Sequence, residues 1–457
     1  MKTYNDLEEI KNSNVPLTDF IQSAINEHKS SDMYKFALIA YDYFRQRNTT
    51  ILQYQKLLYT MSGEAVPDNY SANYKCVSNF FQLFVIQENL HLLGNGINFD
   101  NDSTKEKLGG TDFDHQLIKA GESALWGGVS FGFFNLDHLE VFSIKEFVPL
   151  LDEEDGSIKA GIRFWQIDNN KPLRATLYEL DGYTEYKFYQ GEASILFDKR
   201  PYKTIVRESV ADGLEILDGE NYPSFPIVPL WGNLEHQSEL VGLRSEIDAY
   251  DLIKSGFAND LDDASQIYWT IQNAGGMDDI DLAKFIERMK TVKAAVVDEQ
   301  GSTAEAHTIE IPYNAREAIL DRLRSDMYED FMALDTKAIS GGSLTATAIR
   351  AAYENLNLKS DRYEMCVSEF VKNILVLIGV EDEFAFTRSA IVNRLEDTQM
   401  VLSAAQYLDN ETILKHLPFL NADEIEGILD RVTEEEADRF TYEPQNNLEE
   451  IQNNGVE

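Results

Sequence analysis

Residues 234–266, LEHQSELVGLRSEIDAYDLIKSGFANDLDDASQ, and residues 313–340, YNAREAILDRLRSDMYEDFMALDTKAIS, decide the fold. In the first, Leu240, Leu243, Ile247, Tyr250, Ile253, Phe257 and Leu261 step by three or four, which lays one apolar stripe along about six helical turns. In the second, Ile319, Leu323, Met327, Phe331 and Leu334 keep the same period. Residues 267–312 read as a β-rich insertion. Ile267–Gln272 (IYWTIQ) is β-prone and Asn273-Ala274-Gly275-Gly276 turns the chain. Ile280–Met289 fits a short helix, and Lys293–Val297 and His307–Ile311 fit two more strands before Pro312. Helix, insertion and returning helix describe a rod with a cap on its tip. A rod too narrow to bury its own faces needs neighbours, so the pattern predicts a ring subunit whose rod is one stave of a channel wall. Residues 234–266 hold eight acidic and two basic residues, Arg244 and Lys254. The acids make either a solvated helix face or an acidic channel lining.

Beyond the second rod, Ile339-Ser340-Gly341-Gly342-Ser343 predicts a flexible loop, because glycine adopts backbone conformations closed to other residues. A third helix, Thr345–Ile378, carries Ile349, Tyr353, Leu356, Tyr363, Val367, Phe370, Ile374 and Ile378. Its length is about 45 Å at ~1.5 Å per residue, and a shift of phase near Asn357 allows a kink. FAFTRSAIVNRLEDTQMVLSAAQYL leads into short helices ending near Arg439, and the last residues are acidic, polar and frayed; residues 421–457 hold 12 acidic and 2 basic side chains.

Upstream of the rods, residues 1–105 read as helical. The apolar run Lys75–Leu93 (KCVSNFFQLFVIQENLHLL) is stopped by Gly94-Asn95-Gly96, and a helix over Asp112–Trp126 is stopped by Gly127-Gly128. From Val129 to Val228 the period changes: VSFGFFNL, EFVPLL, AGIRFWQI, RATLYEL, YTEYKFYQ and SILFDK are short strands between Asp, Gly and Asn turns. Pro223, Pro226 and Pro229 then hold SFPIVPLWGN extended. Helices followed by an antiparallel sheet make the class α+β.

Composition bounds the chemistry. Over 457 residues, 79 acidic side chains oppose 40 basic ones, a formal net charge of −39. Such a chain repels polyanions at long range, so it is no phosphate-gripping DNA binder. Cys76 and Cys366 lie far apart, with neither metal-ligand nor disulfide spacing. MKTYNDLEEI has no apolar core of a signal peptide, and the most apolar stretch, Phe370–Val380, is too short to span a membrane. No P-loop, HExxH or GxSxG motif occurs, and the histidines are scattered. Asp262-Asp263 and Asp278-Asp279 are carboxylate pairs able to hold Mg²⁺, although in so acidic a chain such pairs are ordinarily solvated. Lys337 and Arg350 flank the Gly-Gly loop. Repeated around a ring, they would face passing phosphates; alone, they are ordinary surface charges. The reading from residues is a non-enzymatic channel subunit without cofactor or metal. A metal-dependent DNA-processing enzyme built on the Asp pairs, or a capsid or scaffold component without a pore, is the alternative.

The order of parts resembles the portal proteins of tailed double-stranded DNA bacteriophages. The stretches that carry the likeness are FPIVPLWGN into SELVGLRSEIDAYDLIKSGFANDLDD, and HTIEIPYNAREAILDRLRSDMYED into SGGSLTATAIRAAYENLNLKSDRYE, supported by NLHLLGNGI and WGGVSFGFFN. The resemblance implies a ring of twelve copies at one capsid vertex, through which DNA is packaged and ejected. It implies a helical and β wing over 1–233, a two-helix stem over 234–266 and 313–340, a small α/β clip over 267–312 and a tunnel loop over 341–345. A long kinked wing helix over 346–383, a helical crown over 384–440 and the acidic tail 441–457 complete it. Ser340, Gly341, Gly342, Ser343 and Leu344 would form the loop beside the DNA. Gly275, Gly276, Asp278, Asp279 and Glu299 would lie on the surface that docks the packaging motor and the later adaptor. The partners implied are a separate terminase ATPase, major capsid and scaffold proteins, head-completion and tail proteins, and DNA in transit, with no membrane. The place implied is the virion, reached by assembly in the host cytoplasm.

Overall fold

The computed structural model describes residues 2–13, 15–59, 62–68, 72–209, 213–264, 268–272, 303–307, 313–339, 346–389 and 401–415, with 280, 398, 417, 425, 427–429 and 431–432. The chain divides into two compact units, Met1–Leu334 with Asn355–Ser389, and Asp335–Glu354 with Ala390–Glu457.

The first unit opens with α1 (Tyr4–Lys11), α2 (Leu17–Ser30), α3 (Asp32–Phe44) and α4 (Thr49–Gln53). Their starts follow from capping side chains. Thr3 and Asp6 form a reciprocal capping box, Ser31 accepts from the Tyr34 amide, and Asn48 accepts from the Ile51 amide. A small exposed hairpin follows, β1 (Leu57–Tyr59) against β2 (Ala65–Pro67), then α5 (Phe80–Leu93), β3 (Ile97–Phe99), α6 (Asp102–Lys107) and α7 (Thr111–Gly127).

The strand region is β4 (Val129–Asn135), β5 (His138–Ser143), β6 (Phe147–Leu151), β7 (Ile158–Trp165), β8 (Leu173–Glu179), β9 (Gly182–Tyr189), β10 (Glu192–Arg200), β11 (Lys203–Ser209), β12 (Gly213–Glu220) and β13 (Ile227–Trp231). β6 to β10 form an antiparallel meander. One face of it is covered by α1 and α2: Leu7, Phe20, Ile21 and Ile25 meet Val148, Leu150, Ile162, Leu177 and Phe188 in a separate small core. β11 and β12 form a hairpin, and β13-β4-β5 a second antiparallel sheet. Pro229 lies in the edge strand β13, where its missing N–H is tolerated on the unpaired side.

The main core lies between that second sheet and α3, α5 and α7, closed by a long helix described below. α5 is apolar nearly all round, as a buried helix must be. After β13 come α8 (Arg244–Ala264), β14 (Tyr268–Gln272) paired with β15 (Thr303–His307), and α9 (Tyr313–Phe331). The second unit holds α10 (Thr336–Ile339) and the start of α11 (Ala346–Ile378), which continues into the first unit. Gly379, at φ +67°, ends α11: its amide and that of Val380 bond back to Val376 and Leu375 in a Schellman cap. β16 (Phe384–Phe386) then pairs with β3, and α12 (Asn410–Lys415) lies in the second unit.

Several expectations are corrected. Residues 1–105 are not all helical, since β1, β2 and β3 interrupt them. The first rod begins at Arg244, not Leu234: the side chains of Asn233 and Ser238 bond nearby backbone groups and hold the chain in turns. β15 includes His307, and the rest of the strand expected at His307–Ile311 lies outside the described residues. α11 passes through Asn357 without a break; the phase shift there is a polar seam, with Asn357 Oδ1 2.9 Å from His91 Nε2. Phe384–Phe386 is a strand of the first unit rather than the start of a helical end domain.

α5, α7 and α11 meet at Gly121. A Cβ there would lie 2.1 Å from Asn89 Oδ1 and 2.2 Å from the Tyr363 hydroxyl, which donates to that oxygen in a buried bond of 3.0 Å. Gly121→Val should therefore destabilise the protein by about 1–3 kcal/mol, as overpacking does, read as a lower melting temperature by circular dichroism.

Candidate functional site

The helix pair α8 and α9 was expected to carry function, and its surroundings explain how it is held. Residues 74–78 run along α8. The Tyr74 amide donates to Asn259 Oδ1 (2.6 Å), the Cys76 amide to Ser255 Oγ (2.9 Å) and the Ser78 amide to Asp251 Oδ1 (2.9 Å). Two extended residues advance ~6.6 Å and four helical residues ~6.0 Å, so alternate amides meet side chains spaced i, i+4, i+8. Asn48 Nδ2 donates to the other Asp251 oxygen at 2.9 Å. Asp251, Ser255 and Asn259 are all buried. Burial raises the Asp251 carboxyl above its ordinary range, against the bonds from Asn48 and Ser78. α5 begins at Phe80 and not at Lys75, directly after this strap.

The start of the first rod's apolar stripe is covered within the subunit itself. Leu240, Leu243 and Ile247 are buried in the main core, Tyr250 packs on Phe80 at 5.0 Å between ring centres, and Phe257 meets Tyr313 at 5.7 Å. Leu261 is exposed, as are Leu252 and Ile319. The acids of residues 234–266 do not form one lining either. Asp251 is wholly buried, Asp248 accepts from the Tyr43 hydroxyl (2.5 Å), Asp260 pairs with Arg316, and Glu235 pairs with Arg362 (2.5 Å). Burial, reinforced by Asp248, pushes the Tyr43 hydroxyl up to about 12.

Glu239 enters a buried charge cluster. Lys359 Nζ on α11 lies 2.5 Å from Glu239 Oε2, 3.5 Å from Glu88 Oε2 on α5, and 3.3 Å from the centre of the Phe331 ring. Burial pushes the Glu88 carboxyl up to about 8, outweighing the attraction of Lys359. Burial and the adjoining Asp330 push Glu246 up to about 7. The polar Glu88-Asn89 step inside an otherwise apolar helix was the available sequence signal for this cluster.

Lys337 lies in α10, its amide donating to Asp335 Oδ1 at 3.0 Å, and Arg350 is exposed in the first turns of α11. Ser340, Gly341, Gly342, Ser343 and Leu344, and Gly275, Gly276, Asp278, Asp279 and Glu299, lie outside the described residues. Asp262 is exposed and shares the last turn of α8 with Asp263. Among the described residues no group of three or more His, Cys, Asp or Glu is placed to hold a metal ion, and no helix is long and apolar enough to cross a membrane.

Residues 34–443 match the family model described as phage portal protein, SPP1 Gp6-like. The chain belongs to this family of phage portal proteins. A portal protein of Clostridium phage phiCD119 is 32% identical over 210 residues, 44% of this chain and 46% of that relative, so the match spans less than half of either. The portal protein of Bacillus phage SPP1 is 24% identical over 94% of this chain and 88% of its own length. Among solved structures, a chain of the neck of an empty GTA particle, computed with C6 symmetry, aligns over 76% of this chain and 91% of its own. It does so at 12% identity and a TM-score of 0.44. The family's role is structural, that of the phage portal, and the reading as a metal-dependent nuclease falls with it.

Two outcomes test the portal subunit's internal wiring. Asp251→Ala leaves the Asn48 and Ser78 donors buried and unmatched, so it should cost on the order of 2–4 kcal/mol. Residue-resolved hydrogen exchange should show Tyr74, Cys76 and Ser78 protected above Lys75 and Val77, with the contrast erased by the variant. The second outcome concerns pH. Because folded Glu88 has a carboxyl raised from 4.5 to about 8, the folded state binds more protons between those values. Its contribution to stability is then greatest below 4.5 and falls as pH rises to about 8, at up to about 1.4 kcal/mol per pH unit. Glu88→Gln should flatten the decline in melting temperature between pH 6 and 9.

Proposed function

We propose that this portal protein works as a ring, of twelve copies, set at one capsid vertex as the channel for DNA. α8 and α9 with the 267–312 segment between them serve as stem and clip, and 341–345 as the tunnel loop. Family membership across residues 34–443 carries this reading. The helix pair supports it: α8 is tied along its length to the body of the subunit by the 74–78 strap, as a stave under load requires. The wall is held by internal bonds to its acids rather than by a bare acidic lining, and the net charge of −39 still disfavours adhesion of passing DNA. The 267–312 segment, including Gly275, Gly276, Asp278, Asp279 and Glu299, is the docking surface for a terminase motor and later for head-completion proteins. Lys337 and Arg350 bracket the loop and give the few phosphate contacts that DNA meets. The protein assembles with capsid and scaffold proteins in the host cytoplasm and remains in the virion.

Negative-stain images of the purified full chain test the ring: twelvefold particles with a central hole are expected, and monomers or closed shells would overturn it. In a packaging assay, Lys337→Ala with Arg350→Ala should change the rate or the retention of DNA while leaving ring formation intact. Unchanged packaging and retention would remove both cations from the mechanism.

A further inference from the structure

We propose that the hairpin β1–β2, with α4 before it, is the surface by which one copy of this chain docks on the exposed side of α9 in the next copy. The proposal rests on the ring reading and names the two faces that meet in it.

The hairpin pairs Leu57 with Pro67, Leu58 with Val66 and Tyr59 with Ala65. Side chains alternate along a strand, so Leu57, Tyr59, Ala65 and Pro67 share one face and Leu58 and Val66 the other. Both faces are apolar, and every residue of both strands is exposed, Tyr59 by 73%. Leu52, at the end of α4, and Tyr54 after it are exposed as well. A two-stranded hairpin is marginal in water by itself, and large apolar side chains clustered at the surface mark a docking site.

Charge points to a second copy as the partner. Residues 45–59 carry Arg45, Arg47 and Lys56 and no acidic residue, in a chain of net charge −39. Arg45 and Arg47 are exposed and Lys56 is half-buried. On α9, Tyr313 and Ile319 are exposed among the exposed acids Glu317, Asp321, Glu329 and Asp330. An apolar patch with a basic border therefore has its complement, an apolar patch with an acidic border, on the same chain. Two copies meeting hairpin to hairpin would instead set basic residues against basic residues.

Direction gives the same answer. The hairpin rises from the strap side of α8. The Asp68 amide bonds the Lys56 carbonyl (2.8 Å) at its base, Lys75 of the strap donates to the Tyr54 carbonyl, and Asn48, the cap of α4, reaches Asp251. The strap itself bonds Asp251, Ser255 and Asn259. α9 meets α8 through Phe257, against Tyr313, and through Asp260, paired with Arg316. At ~100° per residue, Phe257 and Asp260 lie about 200° and 140° round the helix from Ser255. The strap with its hairpin and α9 thus flank α8 on opposite sides. Complementary patches on opposite sides of one subunit make a head-to-tail contact, which generates a ring when its rotation closes.

Cross-linking tests the contact. Leu58→Cys and Ile319→Cys are combined in a full chain that carries Cys76→Ser and Cys366→Ala, and the protein is treated with a short bismaleimide. A second pair, Tyr59→Cys with Tyr313→Cys, samples the other hairpin face. At least one pair should give a ladder of covalent dimers, trimers and higher species on a denaturing gel. Each single cysteine should give none, and a mixture of the two single-cysteine chains should stop at dimers. Independently, Leu58→Glu with Tyr59→Glu should raise the concentration for half-assembly by about tenfold or more, read by mass photometry; circular dichroism checks that every variant is folded. Lys56→Glu with Arg47→Glu should weaken assembly at low salt and less at high salt. Rings of the unaltered chain with no ladder from either pair, or assembly indifferent to Leu58→Glu with Tyr59→Glu, overturn the contact and leave the ring reading standing. Intact variant rings that fail to enter capsids would assign the hairpin to a capsid protein and overturn it equally. Monomers without any ladder overturn both readings, the images the ring and the gel the contact.

Discussion

The alternation of amides along residues 74–78 against Asp251, Ser255 and Asn259 is the interaction on which the arrangement of this subunit depends. An extended strand and a helix share no backbone bonding pattern, yet their repeats nearly coincide over three contacts. Short polar side chains absorb the residual mismatch. The result fixes α8 in rotation and in axial register against the body. α5 begins at Phe80, directly after the strapped residues. Through Asn48, which caps α4 and also reaches Asp251, the same carboxylate ties in a fourth segment.

Around that frame the protein uses charge inside its structure more than a surface reading of its composition implies. Glu239, Glu88 and Lys359 join the turns before α8 to α5 and α11, while Asp248 and Asp260 are held by Tyr43 and Arg316. Partly buried ion pairs such as Glu239–Lys359 are weak evidence for stability, since desolvation offsets attraction. Their value lies in geometry: breaking one leaves an uncompensated charge, so alternative packings of α5 against α11 are disfavoured.

Much of this was legible in the sequence. The long apolar runs, the Gly stops after α5 and α7, the meander strands and the returning helix pair all rest on local periodicity, which survives in the fold. What was not legible depends on distant partners. Nothing in YKCVS announces that its alternate amides meet a helix far along the chain. The acids of α8 read as one solvated or lumen-facing set because a helical wheel shows where a side chain points and not what stands there. IVPLW was read as proline punctuation, though a proline on an unpaired edge is compatible with a strand, and β13 is one. The Lys359 cluster was missed because Glu88 sits in the short polar step Gln87-Glu88-Asn89 of an otherwise apolar run, and its partner enters from α11.

Pro229 has a consequence for assembly. In the ring proposed above, copies of this chain would meet at high local concentration, where an open sheet edge is a template for runaway pairing. A strand that cannot offer an amide at its centre ends that propagation. At that edge, copies of the proposed ring would meet through side chains rather than through a backbone ladder.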